Sequence, residues 1–359
     1  MELHFLGTGS AYPSPNRSSS CLALRHNGDI WVFDCGEGSQ IQFQKSKLRS
    51  SRISKIFITH LHGDHLFGLP GLLCTIGFNQ NDTIDHVDIY GPIGLKNFVR
   101  ASLLLSCSLL SFSYSVHEIM IPSFQGVSNN FDSKVLIPDI SKVELPLHPN
   151  ETKGKEIQFE YDGYFDVCQT TFLTVIAVPL KHSIPCIGYV LKEKDLPGKL
   201  NTLFLNSKGV PAGPLFGKLK MGEPVTLANG DIILPEQCLG PAKKGRKIVI
   251  LGDTCNSDEI IPFAIDADIL VHEATNENAD EKKSVEHGHS TAGMAGRFAA
   301  LVRARTLIIT HFSQRYKTIS DESENDSIQK LKKEAEENFN GQVIAADDLL
   351  FIPVLFCDS

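Results

Sequence analysis

Residues 59–65 read Thr-His-Leu-His-Gly-Asp-His, so four side chains that can ligate a metal, His60, His62, Asp64 and His65, fall within six positions. Neutral imidazole nitrogen and carboxylate oxygen are ligands that zinc accepts readily. The tract follows Ile56-Phe57-Ile58, an apolar run of strand type. Alternate side chains of an extended chain point the same way, so His60 and His62 share a side. Gly63 then allows a sharp backbone turn that swings Asp64 and His65 toward a second position. One ion rarely takes four ligands so close in sequence, whereas two ions sharing a site would. Histidine-rich tracts can also be unstructured metal traps. This tract is instead bounded by a strand on one side and Leu66-Phe67-Gly68-Leu69-Pro70-Gly71 on the other, which favours a built site.

The same arrangement of an apolar run followed by a polar residue recurs along the chain. Thr174 to Leu180 leads to His182, Ile248 to Leu251 leads to Asp253, Ile269 to Val271 leads to His272 and Glu273, and Leu307 to Ile309 leads to His311. Their β-branched content favours strands. Ligands at strand ends can converge on one edge of a pair of sheets, where a rigid scaffold supports functional loops. Further strands are expected at Glu2–Leu6, Cys21–Leu24 and Asp29–Asp34, the last two forming a hairpin with its turn at Asn27-Gly28. Helices are expected from Thr291 to Arg303, opened by a Ser/Thr pair able to cap it, and from Ser327 to Asn338 after an acidic loop, Ser320 to Asp326. The stretch 124–155 is poorly patterned and reads as a variable surface insertion. From Pro197 to Arg246 glycines and prolines recur and strong strands are sparse, which reads as an excursion between two ligand-bearing strands.

Composition sets bounds on all of this. A chain of 359 residues, 42% hydrophobic and 21% charged, is of ordinary globular type and long enough for one large domain or two. No secretory signal is expected at the start, and the most apolar stretch, Ala101 to Leu110, is too short for a membrane span and carries three serines. Nine scattered cysteines with no C-x-x-C pair argue against a disulfide framework and for a reducing compartment. Cytosolic residence is expected, with the nucleus left open. Cys21, Cys35, Cys74 and Cys186 read as small apolar residues. The net charge of −8 disfavours a nucleic-acid partner, but the distribution is uneven: Lys192 to Lys247 holds ten basic and five acidic residues, and Ile248 to the end holds ten basic and twenty acidic. A basic segment inside an acidic chain fits phosphate contact, although a solvated lysine-bearing loop has the same composition.

These motifs together resemble the metallo-β-lactamase-fold hydrolases, and within them the short-form ribonuclease Z family of tRNA 3′-processing endonucleases. The matching features are Phe5-Leu6-Gly7-Thr8-Gly9, Phe33-Asp34-Cys35-Gly36-Glu37-Gly38, the histidine loop, His182, Asp253, His272-Glu273-Ala274-Thr275, His289-Ser290-Thr291 and His311. The histidine loop alone identifies only the superfamily; the last loops and the Gly/Pro/Lys excursion point to the tRNA branch. The resemblance implies an α/β fold, a four-layer αβ/βα sandwich forming a single catalytic domain over 1–359 with a protruding flexible arm at 195–246. It implies two zinc ions per subunit, one held by His60, His62 and His182, the other by Asp64, His65 and His311, with Asp253 bridging. Asp64 would orient an activated water and take its proton. His289, oriented by Glu273, would protonate the leaving ribose 3′-oxygen. The products would be a 3′-hydroxyl on the tRNA and a 5′-phosphate on the trailer. Lys199, Lys208, Lys218 and Lys220 of the arm, with Gly213–Gly217 as its tip, would hold precursor tRNA by its backbone, and the active form would be a homodimer with no membrane association. His272 is expected to make a structural hydrogen bond, Asp34 either to hold a ligand imidazole or to serve a turn, and His4, His26, His86, His117 and His148 to stand alone.

Two rivals remain at this level. A hydrolase of small phosphodiesters or esters would keep every ligand, and only the arm distinguishes it. A non-enzymatic RNA-binding scaffold with a decayed site would lack ligands, and none is missing.

Overall fold

Strand-forming runs and amphipathic helices pack into two sheets with a helical layer on each. The computed structural model describes residues 1–77, 84–121, 145–227, 229–317 and 327–356. The acidic loop expected at 320–326 and most of the 124–155 stretch lie outside them. In the first sheet the strands run in the order Leu350–Pro353, Glu2–Gly7, Cys21–His26, Asp29–Phe33, Ile53–Phe57, His86–Pro92 and Ser113–Ile119. Its first four strands pair antiparallel and the remainder parallel. The second sheet runs Gln342–Ala345, Thr306–Thr310, Ile269–Glu273, Lys247–Ile250, Cys186–Glu193, Leu173–Leu180 and Phe165–Gln169.

Each sheet buries its outer face under helices. Leu69–Ile76 and Leu95–Leu105 place Leu69, Leu72, Leu73, Leu95, Val99 and Leu103 on the first sheet's residues Ile30, Val32, Ile56 and Ile89. Ala292–Leu301 and Ile328–Glu336 cover the second, with Phe298, Ala299, Leu331 and Ala335 packed on Leu270, Leu307 and Ile309. Between the sheets Phe57 lies against Phe33 and Tyr90, and Tyr189 of the second sheet meets Phe33 and Phe57 edge-on. The Tyr189 hydroxyl donates to the Ile58 carbonyl at 2.8 Å, so the layer beneath the histidine loop is closed by a satisfied polar contact.

The short hairpin turns at Asn27-Gly28, both at positive φ, and His26 pairs with Asp29 as the two-residue turn requires. Thr291 caps the Ala292–Leu301 helix, its hydroxyl accepting from the Met294 amide, and Ser327 is the N-terminal cap residue of the next helix. Of the poorly patterned stretch, Glu151–Thr152 pairs with Ser113–Ile119. Arg100 clamps the buried Glu151 with two hydrogen bonds of 2.7 and 2.9 Å. The end of that stretch is therefore sheet edge rather than free surface, a role its sparse apolar pattern does not announce.

The chain divides into two compact units, the second made of Thr170–Thr174, Lys192–Arg246 and Phe356–Ser359. The second unit has its own small core of Leu205, Val210, Leu219, Val225, Ile233 and Cys238. Its helices are Thr202–Ser207, Pro214–Lys220 and Pro235–Cys238, so the excursion is folded rather than a long bare loop. Arg246 pairs bidentately with the buried Glu193 where the segment leaves and re-enters the chain. No described helix is long and apolar enough to cross a membrane.

Candidate metal centre

Each suspected ligand sits just beyond a strand end, and these ends meet. His60 follows Ile53–Phe57, His182 follows Leu173–Leu180, Asp253 follows Lys247–Ile250 and His311 follows Thr306–Thr310. The turn expected at Gly63 is the first turn of a short helix, Gly63–Leu66. Gly63 instead leaves room for the Phe67 ring, which a Cβ there would displace.

The structure brings all seven suspected ligands together. In one group His62 Nδ1 lies 3.1 Å from His60 Nε2 and 3.2 Å from His182 Nε2. In the other, His65 Nε2 lies 3.2 Å from His311 Nε2, with Asp64 Oδ2 3.6 and 3.4 Å from those two atoms. Asp253 Oδ2 stands between the groups, 3.7 Å from His60 Nε2, 3.5 Å from His65 Nε2 and 3.3 Å from His311 Nε2. A tetrahedral ion with zinc–nitrogen bonds of about 2.0–2.1 Å needs ligand atoms about 3.3–3.4 Å apart, close to these spacings.

The hydrogen bonds behind the ligands decide which nitrogens carry protons. His65 Nδ1 is 2.7 Å from Asp34 Oδ2, and His182 Nδ1 is 2.8 Å from the Gly288 carbonyl, so both Nδ1 atoms are donors. Thr59 donates its hydroxyl proton to Asp34 and therefore accepts from His60 Nδ1 at 3.0 Å. Thr275 Oγ1, donating to Glu273, accepts in the same way from His311 Nδ1 at 2.9 Å. Every one of these imidazoles, when neutral, then presents its Nε2 lone pair to the centre. Lone pairs facing each other at 3.2 Å repel, and a cation between them removes the repulsion. The donor set thus fits a bound metal.

Charge states agree for the first group of imidazoles. Burial, and then the neighbouring His182, push His62 down to about 4, and burial holds His60 and His182 below the usual histidine range. Burial opposes ionisation of Asp253 and Asp64, yet the imidazoles around them hold both carboxyls below the usual range. His65 is raised against its own burial by Asp253 and Asp34. His60, His62 and His182 are thus neutral imidazoles beside ionised carboxylates, the state that binds a divalent cation, whereas His65 in the metal-free protein holds a proton that an ion would displace.

His289 stands apart from the two triads. Its Nδ1 lies 3.2 Å from both Glu273 oxygens and 3.7 Å from Asp253 Oδ2. Burial works against its protonation, but Glu273 and then Asp253 raise it to about 9. Glu273 is fully buried and is itself held by the Thr254 amide at 2.7 Å and by the Thr275 hydroxyl. His272 makes a hydrogen bond to the Glu273 carbonyl inside its own loop, and Asp34 holds His65. Lys199, Lys208, Lys218 and Lys220 are all exposed.

Sequence reasoning missed several supports. Thr59 and Thr275 set the tautomers of His60 and His311, and the Ala11 amide donates to Asp64 Oδ2 at 2.7 Å. Gly288, at φ +81, passes so close to His182 that a Cβ would lie 2.9 Å from its Nδ1. Asp34 and His311 adopt left-handed backbone at φ +57 and +59, strain of the kind stored at functional sites. Four of the histidines expected to stand alone have partners: His86 and His117 contact Asp88, at 3.3 and 3.1 Å, His4 contacts Glu2 at 3.2 Å, and His148 contacts the Ser108 carbonyl at 2.8 Å. Only the adjacency of Thr59 and Thr275 to ligand motifs signalled any of this.

Comparison with known proteins follows the same lines. A family model described as "Anti-Pycsar protein Apyc1" matches residues 1–106. The zinc phosphodiesterase ELAC protein 1 of Bos taurus is 45% identical over 363 residues, 99% of this chain and 98% of that protein. Ribonuclease Z of Streptococcus suis (strain 98HAH33) is 37% identical over 350 residues, 97% of this chain and 98% of that protein. The crystal structure of the short form of human tRNase Z (ELAC1) matches with a TM-score of 0.68 at 33% identity, covering 99% of this chain and all of that one, 100%. The Bacillus subtilis metallo-β-lactamase fold protein YhfI matches at 0.59 and 15% identity over 98% of each chain, a likeness of fold alone.

Proposed function

The chain belongs to the short-form ribonuclease Z family, with its metallo-β-lactamase fold, and from that premise we propose how its residues divide the work of cutting precursor tRNA. The protein is a metal-dependent endoribonuclease of tRNA 3′-end processing. The reading of its centre rests on one observation above all: five imidazoles and two carboxylates converge, each with one ligand atom facing inward. His60, His62 and His182 would hold one zinc ion, Asp64, His65 and His311 a second, and Asp253 would touch both. Bound there, zinc supplies Lewis-acid polarisation of the phosphoryl group and acidifies a water.

The chain's own residues do the remainder. Asp64 orients the attacking water and accepts its proton, while the Ala11 amide fixes the carboxylate. Glu273 holds His289 at Nδ1, which leaves Nε2–H free to protonate the departing ribose 3′-oxygen. That direction of cleavage leaves a 3′-hydroxyl on the tRNA and a 5′-phosphate on the trailer. The exposed lysines Lys199, Lys208, Lys218 and Lys220 contact the tRNA backbone, which carries no sequence information and suits an enzyme that serves many tRNAs. Two copies act as a homodimer, one arm holding substrate for the other's centre, and the protein works in the cytosol.

The test is incubation of the purified protein with a 3′-extended tRNA transcript, with and without a chelator. Cleavage at the trailer junction, a hydroxyl on the retained 3′ end and loss of activity on chelation are expected. Cleavage that leaves a 3′-phosphate would refute the assignment of His289, and Asp64→Ala retaining full turnover would refute that of Asp64.

A further inference from the structure

Beside the metal centre stands an aromatic side chain that the chemistry above does not use. Phe67 closes the short helix after the histidine loop, its amide donating to the Gly63 carbonyl at 2.9 Å. Its ring lies on Gly63, between the ligands His62 and Asp64, where a side chain of any size would displace it. Phe98 backs the ring, with centroids 6.3 Å apart and planes 16° apart, and Phe98 itself packs on the first sheet's core. Phe67 is nevertheless 63% exposed. Tyr12 is 60% exposed and follows Ala11, the residue whose amide holds Asp64. Single exposed aromatics are ordinary on a protein surface, but two of the six exposed ones among the described residues adjoin this one carboxylate.

We infer that Phe67 is a stacking platform for an unpaired base next to the scissile phosphate. This rests on the tRNA-cleaving activity, since a trailer cut by an endonuclease must enter single-stranded. Unstacked bases are recognised by aromatic faces, and stacking tolerates any base because each has a π-face. A ring anchored by its edge at Gly63 and backed by Phe98 is preorganised for that role and needs no rearrangement. Charge–phosphate contact alone would place the backbone; Phe67 sets which nucleotide reaches the centre.

The experiment is a coupling cycle between Phe67→Ala and an abasic site placed in a 3′-extended tRNA, first on the retained side of the cut and then on the trailer side. On the intact precursor, Phe67→Ala should lower kcat/KM by about tenfold, the scale of one lost base–aromatic stack. On one of the two abasic precursors the wild type should fall to about the variant's level, and the variant should fall no further. Phe67→Trp should retain cleavage and the coupling. A folding defect would lower every substrate alike and leave no coupling. Equal losses from the variant on the intact and both abasic precursors, or no loss at all, would overturn the inference while the wild type's cleavage of the intact precursor still stands. A wild type unable to cut the intact precursor would instead refute the tRNA activity itself.

Discussion

Replacing Asp34 by Asn tests whether the hydrogen bonds behind the ligands set the metal affinity. Asp34 accepts from the Thr59 amide at 2.7 Å, from the Thr59 hydroxyl at 2.8 Å and from His65 Nδ1 at 2.7 Å. Asparagine keeps the shape but turns one acceptor oxygen into a donor. The oxygen that remains can still accept from the Thr59 amide. The new NH2 then faces the His65 Nδ1 proton, and His65 relieves the conflict by moving its proton to Nε2, the ligand atom. Loss of such a partner typically costs 10–100-fold in metal affinity, or about 1.4–2.8 kcal/mol. With free zinc at a thousand times the wild-type Kd, binding stabilises the wild type by about 4.1 kcal/mol and the variant by only about 1.4–2.7 kcal/mol. Chelator-competition titration measures the affinities, and thermal melts with and without zinc measure the stabilisation. A variant that binds zinc within twofold of wild type, with only its metal-free melting temperature lowered, would show that Asp34 serves the turn and not the ligand.

Other outcomes follow from the same geometry. His289→Ala should slow tRNA cleavage about 10²–10⁴-fold, the usual worth of a positioned acid, with metal content unchanged by elemental analysis; loss of metal would make His289 a ligand. Cleavage by the wild type should decline as pH rises through the pKa of His289, which Glu273 and Asp253 raise toward 9 and which bound cations pull back down, and the variant should lack that alkaline limb. In the metal-free protein this pair is fully stabilising below the ordinary histidine value of 6.5, and that stabilisation is lost as pH climbs through about 9, which pH-dependent melting reads directly. Asp348→Ala should lower stability by about 2–3 kcal/mol in denaturant titration, because the Thr8 amide and hydroxyl and the Ser18 amide lose their acceptor and the Gln42 amide keeps only the Leu6 carbonyl. Deleting residues 198–245 should abolish tRNA cleavage and spare hydrolysis of a chromogenic phosphodiester, and surviving tRNA cleavage would refute the role given to the arm.

The candidate ligands were legible in the sequence because each is coupled to a local pattern. His60, His182, Asp253 and His311 all follow short β-branched runs, and strand periodicity needs no distant partner to be recognised. The hairpin at Asn27-Gly28 and the cap Thr291 were readable for the same reason: turn and cap chemistry act within a few residues. The tautomers were not readable. Whether His311 offers Nε2 depends on Thr275, 36 positions away, and the loop holding Asp64 is tied down by Asp348, 340 positions from Thr8. Gly63 suited a turn by residue type, yet it is the Phe67 ring that occupies the space a side chain there would take. Residue type and short-range spacing thus determined the elements and the identity of the candidate metal-binding side chains. Proton placement, the central position of Asp253 and the exposure of Phe67 were decided only when the two sheets closed, because hydrogen bonds and burial depend on distances that chain separation does not encode.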